Sequence, residues 1–166
     1  GMSNRFVRLS GLQPDQHYDC EIRTTAGTSR RYWFRTAPDS ARPLAFVAGG
    51  DSRTFRDGRR NANRLVSYLQ PLFVAFNGDM TTNDTPRQWQ QWFDDWQLTT
   101  SPSGRLIPIV AARGNHEQHN SSVAKLFDSP HPDIYFAMTI GGNYLRLYTL
   151  NTETFPDRQQ GAWLAE

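Results

Sequence analysis

Residues Arg105 to Gln118 read "RLIPIVAARGNHEQ". An apolar run suited to a buried strand leads at once into Asn115, His116 and Glu117, an amide, an imidazole and a carboxylate side by side. Two earlier stretches share that form: "LAFVAGGDSR" (Leu44 to Arg53) runs into Asp51, and "LFVAFNGDM" (Leu72 to Met80) runs into Asp79. Helical stretches lie between them, "RRNANRLVSYLQP" closed by Pro71 and a second from Pro86 to Gln97. After the third strand come a short helical turn in "SSVAKLFD" and two further strands, "DIYFAMTI" and "NYLRLYTLNTE", around the turn "GGN". Continuously apolar strands alternating with helices predict an α/β fold whose sheet is covered on both faces. In such sheets the loops at the carboxyl ends of the strands converge on a ligand crevice. Asp51, Asp79 and the Asn115–His116 pair are therefore expected to meet in space.

The second helix places Trp89, Trp92, Phe93 and Trp96 at i, i+3, i+4 and i+7, one face of an α-helix. That face is predicted to be core, with a ligand platform as the alternative. Upstream, in Phe6 to Thr24, Tyr18, Cys20 and Ile22 alternate with polar neighbours at the strand period. "TAGT" reads as a turn and "RRYWFRT" as the return strand of a hairpin, with "APDSARP" as a linker into the α/β part.

Bulk composition narrows the function. The chain has 166 residues, 37% hydrophobic and 20% charged, which suits one domain or one domain plus part of another. A net charge of +2 from 18 basic and 16 acidic residues is too balanced for bulk electrostatic binding of nucleic acid. Seventeen of the 18 basic residues are arginine, consistent with phosphate recognition by guanidinium forks or with a GC-rich coding bias. Cys20 is the only cysteine, so neither an internal disulfide nor a cysteine metal cluster can form. No apolar run approaches the roughly 18 residues of a membrane span. Gly1 and Met2 read as a remnant of tag removal followed by a start.

Oxygen donors from Asp51, Asp79 and Asn115, with imidazole nitrogen, make a site for hard to borderline divalent or trivalent metals. Each residue has a plainer alternative: Asp51 as a helix cap, Gly78-Asp79 as turn chemistry, His116 as a satisfied loop histidine. Three such motifs in order, each at a strand end, favour the metal site. The cluster Arg56, Arg59, Arg60 and Arg64 reads as a solvated basic face, the alternative being attraction of a phosphate at a helix N-terminus.

In this order the motifs resemble the calcineurin-like metallophosphoesterase superfamily, and within it the purple acid phosphatase-like branch with an N-terminal fibronectin type III-like domain. "GLQPDQHY" and "FRTAP" match the preceding domain, where Tyr18 would tie a strand corner through its hydroxyl, and "LNTE" (Leu150 to Glu153, its last three residues Asn151 to Glu153) matches a strand of that branch. The resemblance implies half of an α/β/β/α sandwich over residues 44–166, preceded by the last strands of a fibronectin-like β-sandwich over 1–39. It implies a phosphoester hydrolase with two metal ions (Fe, Mn or Zn) and a metal-activated hydroxide. Asp51 would bind the first ion, Asp79 would bridge both and Asn115 would bind the second. His116 would be the catalytic residue beside the substrate, stabilising phosphoryl charge or protonating the leaving oxygen. Glu117 would orient that imidazole or stand as a solvated carboxylate. Asp84 matches an aspartate placed behind the ligands or at the loop rim.

Departures from the family pattern matter as much. Arg53 stands where many relatives have histidine or glycine, and is read as a contact to substrate phosphate or as a partner of a carboxylate. Thr82 stands where purple acid phosphatases have a tyrosine ligand. His119 and His131 are expected at the surface and His17 in the hairpin. The family's Val-x-x-His and Gly-His-x-His motifs would fall after Glu166. The chain is thus expected to be a piece truncated at both ends, holding about half the site, with weak or single-metal binding and little turnover of its own. Its partner would be a phosphate ester, without nucleic acid or membrane span, and the resemblance implies export to the periplasm or exterior of a bacterium. The alternative is a non-catalytic binding or surface module on a degenerate phosphatase fold.

Overall fold

A computed structural model describes residues 4, 6–154 and 158–166. Its first elements are β1 (His17–Cys20), a small ladder of β2 (Arg23–Thr24) and β3 (Gly27–Thr28), and β4 (Tyr32–Arg35). β1 and β4 are antiparallel, from His17 opposite Arg35 to Cys20 opposite Tyr32. The expected single hairpin is thus split in two. β1 stops at Cys20, Ile22 is exposed, and the tip closes separately where Ser29 exchanges hydrogen bonds with the Ile22 backbone. The Tyr18 hydroxyl does tie the entering corner, accepting the Gln13 N–H at 2.8 Å.

This strand pair is joined directly to the α/β part. The Trp33 N–H donates to the Gly104 carbonyl at 3.0 Å, and the Leu106 N–H donates to the Trp33 carbonyl at 2.8 Å. The Trp33 ring stacks on His17 with centroids 4.5 Å apart and carries the Arg105 guanidinium at 5.2 Å. Arg105 also donates to the Gln70 carbonyl at 2.9 Å, which anchors the contact on the helical layer.

The α/β part follows as β5 (Val47–Gly49), α1 (Arg56–Leu69), β6 (Val74–Phe76), α2 (Pro86–Trp96), β7 (Ile109–Ala111), α3 (Asn120–Phe127), β8 (Phe136–Ile140), β9 (Leu145–Thr149) and α4 (Arg158–Ala165). β5, β6 and β7 form a parallel sheet with β6 central, whose three residues are all buried. Side-chain alternation along β6 sorts the core into two layers. Val74 and Phe76 join Val66, Trp89, Trp92, Val123 and Leu126 under the helices. Phe73 and Ala75 face the other way, against Ile140, Met138, Leu145 and Leu147 of the β8–β9 hairpin. The result is mixed α/β, with helices on one face of the sheet and antiparallel strands on the other. β7 is shorter than the apolar run predicts because Arg105 and Leu106 pair with Trp33 and Pro108 has no N–H for the ladder.

The aromatic face of α2 is core as predicted: Trp89 and Trp92 are 2% and 1% exposed, and Trp92 meets Phe76 edge-on with centroids 5.5 Å apart. Thr85 caps this helix and Pro86 occupies its first turn.

The arginines of α1 correct the expectation of a solvated face. Arg59 is buried, and its Nη2 donates to the Asp95 carboxylate on α2 at 2.6 Å. Arg56 reaches the same carboxylate at 2.9 Å and Arg60 at 3.7 Å. Burial pushes the Asp95 carboxyl upward, but the hydrogen bonds from Arg56 and Arg59 outweigh it and hold it below the usual carboxylate range. Arg64, which bonds Asn61 on its own helix, keeps the expected exposed position, and Arg56 is exposed as well although it is paired to Asp95.

Candidate metal centre

The three strand-end loops are zipped together beyond the sheet. Asn77 donates to the Gly49 carbonyl at 2.7 Å, Asp51 to the Gly78 carbonyl at 3.0 Å, and Ser52 to the Asp79 carbonyl at 3.0 Å. Asp51 and Asp79 both take left-handed backbone conformations, with φ of 51° and 56°. Aspartate tolerates that region better than most residues, and here it turns each carboxylate out of the strand direction. The loops also approach too closely for side chains at two positions. A Cβ on Gly78 (φ 84°) would strike the Gly114 backbone, and one on Gly114 would strike the Asp79 carboxylate.

Asp51, Asp79 and Asn115 line a single cleft of about 390 Å³, together with Asn77, Arg113 and Glu153. The Asp79 side chain is 14% exposed and that of Asp51 67%. Arg53 spans them: its Nε lies 3.0 Å from Asp51 Oδ1 and its Nη1 3.4 Å from Asp79 Oδ2. Of the two readings of Arg53, the carboxylate partner is the one seen. The contact also tests the donor set. Both carboxylates reach one guanidinium and the Asn115 amide lines the same cleft, so the donor types gathered there, charged and neutral oxygens, are those a divalent metal takes. Among the described residues no group of three or more His, Cys, Asp or Glu is gathered for a metal, so the amide is needed to complete the set.

His116 is held twice. Its N–H donates to Asp79 Oδ1 at 3.1 Å, and its Nδ1 lies 2.8 Å from the Thr82 carbonyl. A carbonyl only accepts, so Nδ1 carries the proton of that bond and Nε2 is left for other chemistry.

Glu117 is neither the orienter of the imidazole nor a solvated carboxylate. Its side chain is fully buried and accepts four backbone N–H groups: Asp79 and Met80 at 2.7 Å, Gly114 at 3.0 Å and Thr81 at 3.2 Å. A carboxylate is acceptor-only with about four lone-pair sites, which matches four donors converging from two loops. Glu117 therefore staples the loop of Asp79 to the loop of Asn115, and the Thr82 carbonyl orients the imidazole in its place.

Of the two places expected for Asp84, the one behind the ligands is not where it lies. Its carboxylate faces the helices, accepting Trp89 Nε1 at 2.6 Å and Ser122 Oγ at 2.7 Å, so it ties α2 to α3 instead of standing behind the cleft ligands. His119 is exposed, whereas His131 is half-buried against Tyr135 with ring centroids 4.1 Å apart, a packed residue and not a surface one. The sequence reading missed Asn77, Arg113 and Glu153 as cleft residues. The segment "LNTE" was the available signal: fully buried Asn151 accepts the Glu153 N–H at 3.1 Å and so fixes the turn that presents Glu153. Phe155, Pro156 and Asp157 lie outside the described residues.

The family model described as calcineurin-like phosphoesterase matches residues 32–162, including all three strand-end motifs. The chain belongs to the calcineurin-like phosphoesterase family. This family consists of phosphoester hydrolases that generally bind divalent metals, and the mixed α/β architecture with its parallel sheet accords with its fold. Two curated proteins of Mycobacterium tuberculosis are similar: uncharacterized protein MT2654 of strain CDC 1551 / Oshkosh and uncharacterized protein Rv2577 of strain ATCC 25618 / H37Rv. Each is 30% identical over 166 residues, covering 85% of this chain and 30% of the relative. The chain thus spans about 30% of the length of these relatives. No helix among the described residues is long and apolar enough to cross a membrane.

Proposed function

We propose that the protein hydrolyses phosphate esters at the cleft formed by Asp51, Asp79 and Asn115. The observation that carries this reading is the meeting of the Asp51 and Asp79 carboxylates on one cationic group, with the Asn115 amide lining the same cleft. In the proposal Asp51 and Asp79 would hold the metal, and Asn115 would supply a neutral donor that adds no charge to repel phosphate. Divalent ions held there would lower the pKa of a water, making hydroxide available to attack phosphorus at neutral pH, and would offset charge on the phosphoryl oxygens. The chain's own residues do the rest. Glu117 keeps the Asp79 and Asn115 loops in register, and the Thr82 carbonyl fixes the His116 tautomer. His116 is then the residue to deliver a proton from Nε2 to the leaving oxygen.

The purple acid phosphatase-like branch, the fibronectin-like character of the N-terminal strands, the division at residues 39 and 44, and export from the cell belong to the same proposal. They rest on the motifs quoted above. A second reading, a binding module on a degenerate phosphatase fold, is favoured by Arg53 sitting on the carboxylates and by Thr82 in place of a tyrosine. Turnover of p-nitrophenyl phosphate by the full-length protein, supplied with Mn²⁺, Zn²⁺ or iron, separates the two. The enzyme reading expects metal-dependent hydrolysis that falls at least about 100-fold in Asp79→Ala. Turnover absent with all three metals, or indifferent to Asp79→Ala, would favour the binding module.

A further inference from the structure

We infer that Arg53 is a built-in counter-cation of the cleft, competing with metal ions for the Asp51 and Asp79 carboxylates. This rests on the proposed metal site and adds a claim about how that site is controlled.

The charge arrangement carries it. Two aspartates on zipped loops face one cleft, and like charges so placed must be compensated. Arg53 supplies that compensation with one fork, touching Oδ1 of Asp51 and Oδ2 of Asp79. Among the described residues no other basic side chain is ion-paired to either carboxylate. Arg56, Arg59 and Arg60 are committed to Asp95. Arg113 lines the cleft, but its guanidinium is spent on the carbonyls of Glu117 and Gln118 and on Asn151.

Arg53 is also free to leave. It precedes the first residue of α1, Arg56, its guanidinium has no ion-pair partner among the described residues besides these two carboxylates, and its side chain is 27% exposed. Arginine cannot shed its charge. A dication seated on the same oxygens must therefore displace the fork or sit against a positive charge. Either way its affinity is lowered, and a displaced fork stays next to the cleft as a ready contact for a phosphoryl group.

Calorimetric titration of the metal-free, full-length protein with MnCl₂ tests this. Arg53→Gln and Arg53→Met remove the charge, and each is expected to bind Mn²⁺ about tenfold more tightly than the wild type. Arg53→Lys keeps the charge and is expected to stay within about threefold of the wild type. Circular dichroism checks that each variant is folded, and two neutral replacements of different shape guard against one of them failing. Equal or weaker Mn²⁺ binding by the folded neutral variants overturns the competition while leaving the metal site standing. Mn²⁺ binding that is unchanged by Asp79→Asn, in the wild-type and Arg53→Gln backgrounds alike, overturns the metal reading and the competition with it.

Discussion

Two arginine–carboxylate assemblies arise from one short stretch, Arg53 to Arg60, and they are opposites. At the α1–α2 contact, Arg56, Arg59 and Arg60 surround Asp95, which is 2% exposed and has no room for another partner. At the cleft a single Arg53 is divided between two carboxylates, one of them two-thirds exposed, on loops held in left-handed turns. The first is anchored by a buried pair, Arg59 with Asp95, and Arg56 and Arg60 close it from the solvent side, so its geometry serves stability. The second has more negative charge than its guanidinium can neutralise and opens to solvent through Asp51, so it can exchange partners. Position relative to the helix makes the difference. Residues on the inner face of α1 are carried against α2, whereas Arg53 precedes the helix and follows the loop.

The contrast can be broken experimentally, beginning with the scaffold beneath the cleft. Replacing Glu117 by glutamine puts an N–H₂ group among four backbone donors and is expected to cost about 3 kcal/mol, read as a lower urea midpoint. A midpoint unchanged by Glu117→Gln would mean that the staple is dispensable. Next in size, Asp95→Ala should cost about 2–3 kcal/mol because it strands the buried Arg59 guanidinium. Arg53→Gln, by contrast, should move stability by less than about 0.5 kcal/mol. Equal costs for the two would erase the distinction between a closed and an exchangeable assembly. The smallest effect is in acid. The folded-state pKa of Asp95 lies below its unfolded value, so its contribution is complete above about pH 4 and disappears as pH falls through the folded value. In Asp95→Ala the loss of stability below about pH 4 should accordingly be shallower than in the wild type, measured by urea unfolding across that range.

The sequence was informative wherever a pattern was periodic or tied to a strand end. Uninterrupted apolar residues at Val74 to Phe76 announced a buried strand, and the spacing of Trp89, Trp92 and Trp96 announced the buried face of α2. The convergence of Asp51, Asp79 and Asn115 was legible for the same reason, since strand order fixes which loops are neighbours. What escaped was set by three-dimensional partners. Nothing adjacent to Glu117 in sequence reveals that four amides from two loops point at it. The α1 arginines looked solvent-facing because Asp95, their partner, lies on another helix. Arg105 likewise shows no strand-pairing signal, yet Trp33 captures its backbone from some seventy residues away. Long-range polar satisfaction has no period, and so it leaves no trace in a local pattern.

The central claim is that three distant loops gather their oxygens around a cation. Diffraction at the manganese absorption edge, from crystals of the protein grown with MnCl₂, examines it without relying on turnover. An anomalous peak is expected within coordination distance of Asp79, shared with Asp51 or Asn115 and absent from Asp79→Asn crystals. A map with no peak in this cleft at saturating Mn²⁺, or one that persists in Asp79→Asn, would contradict it.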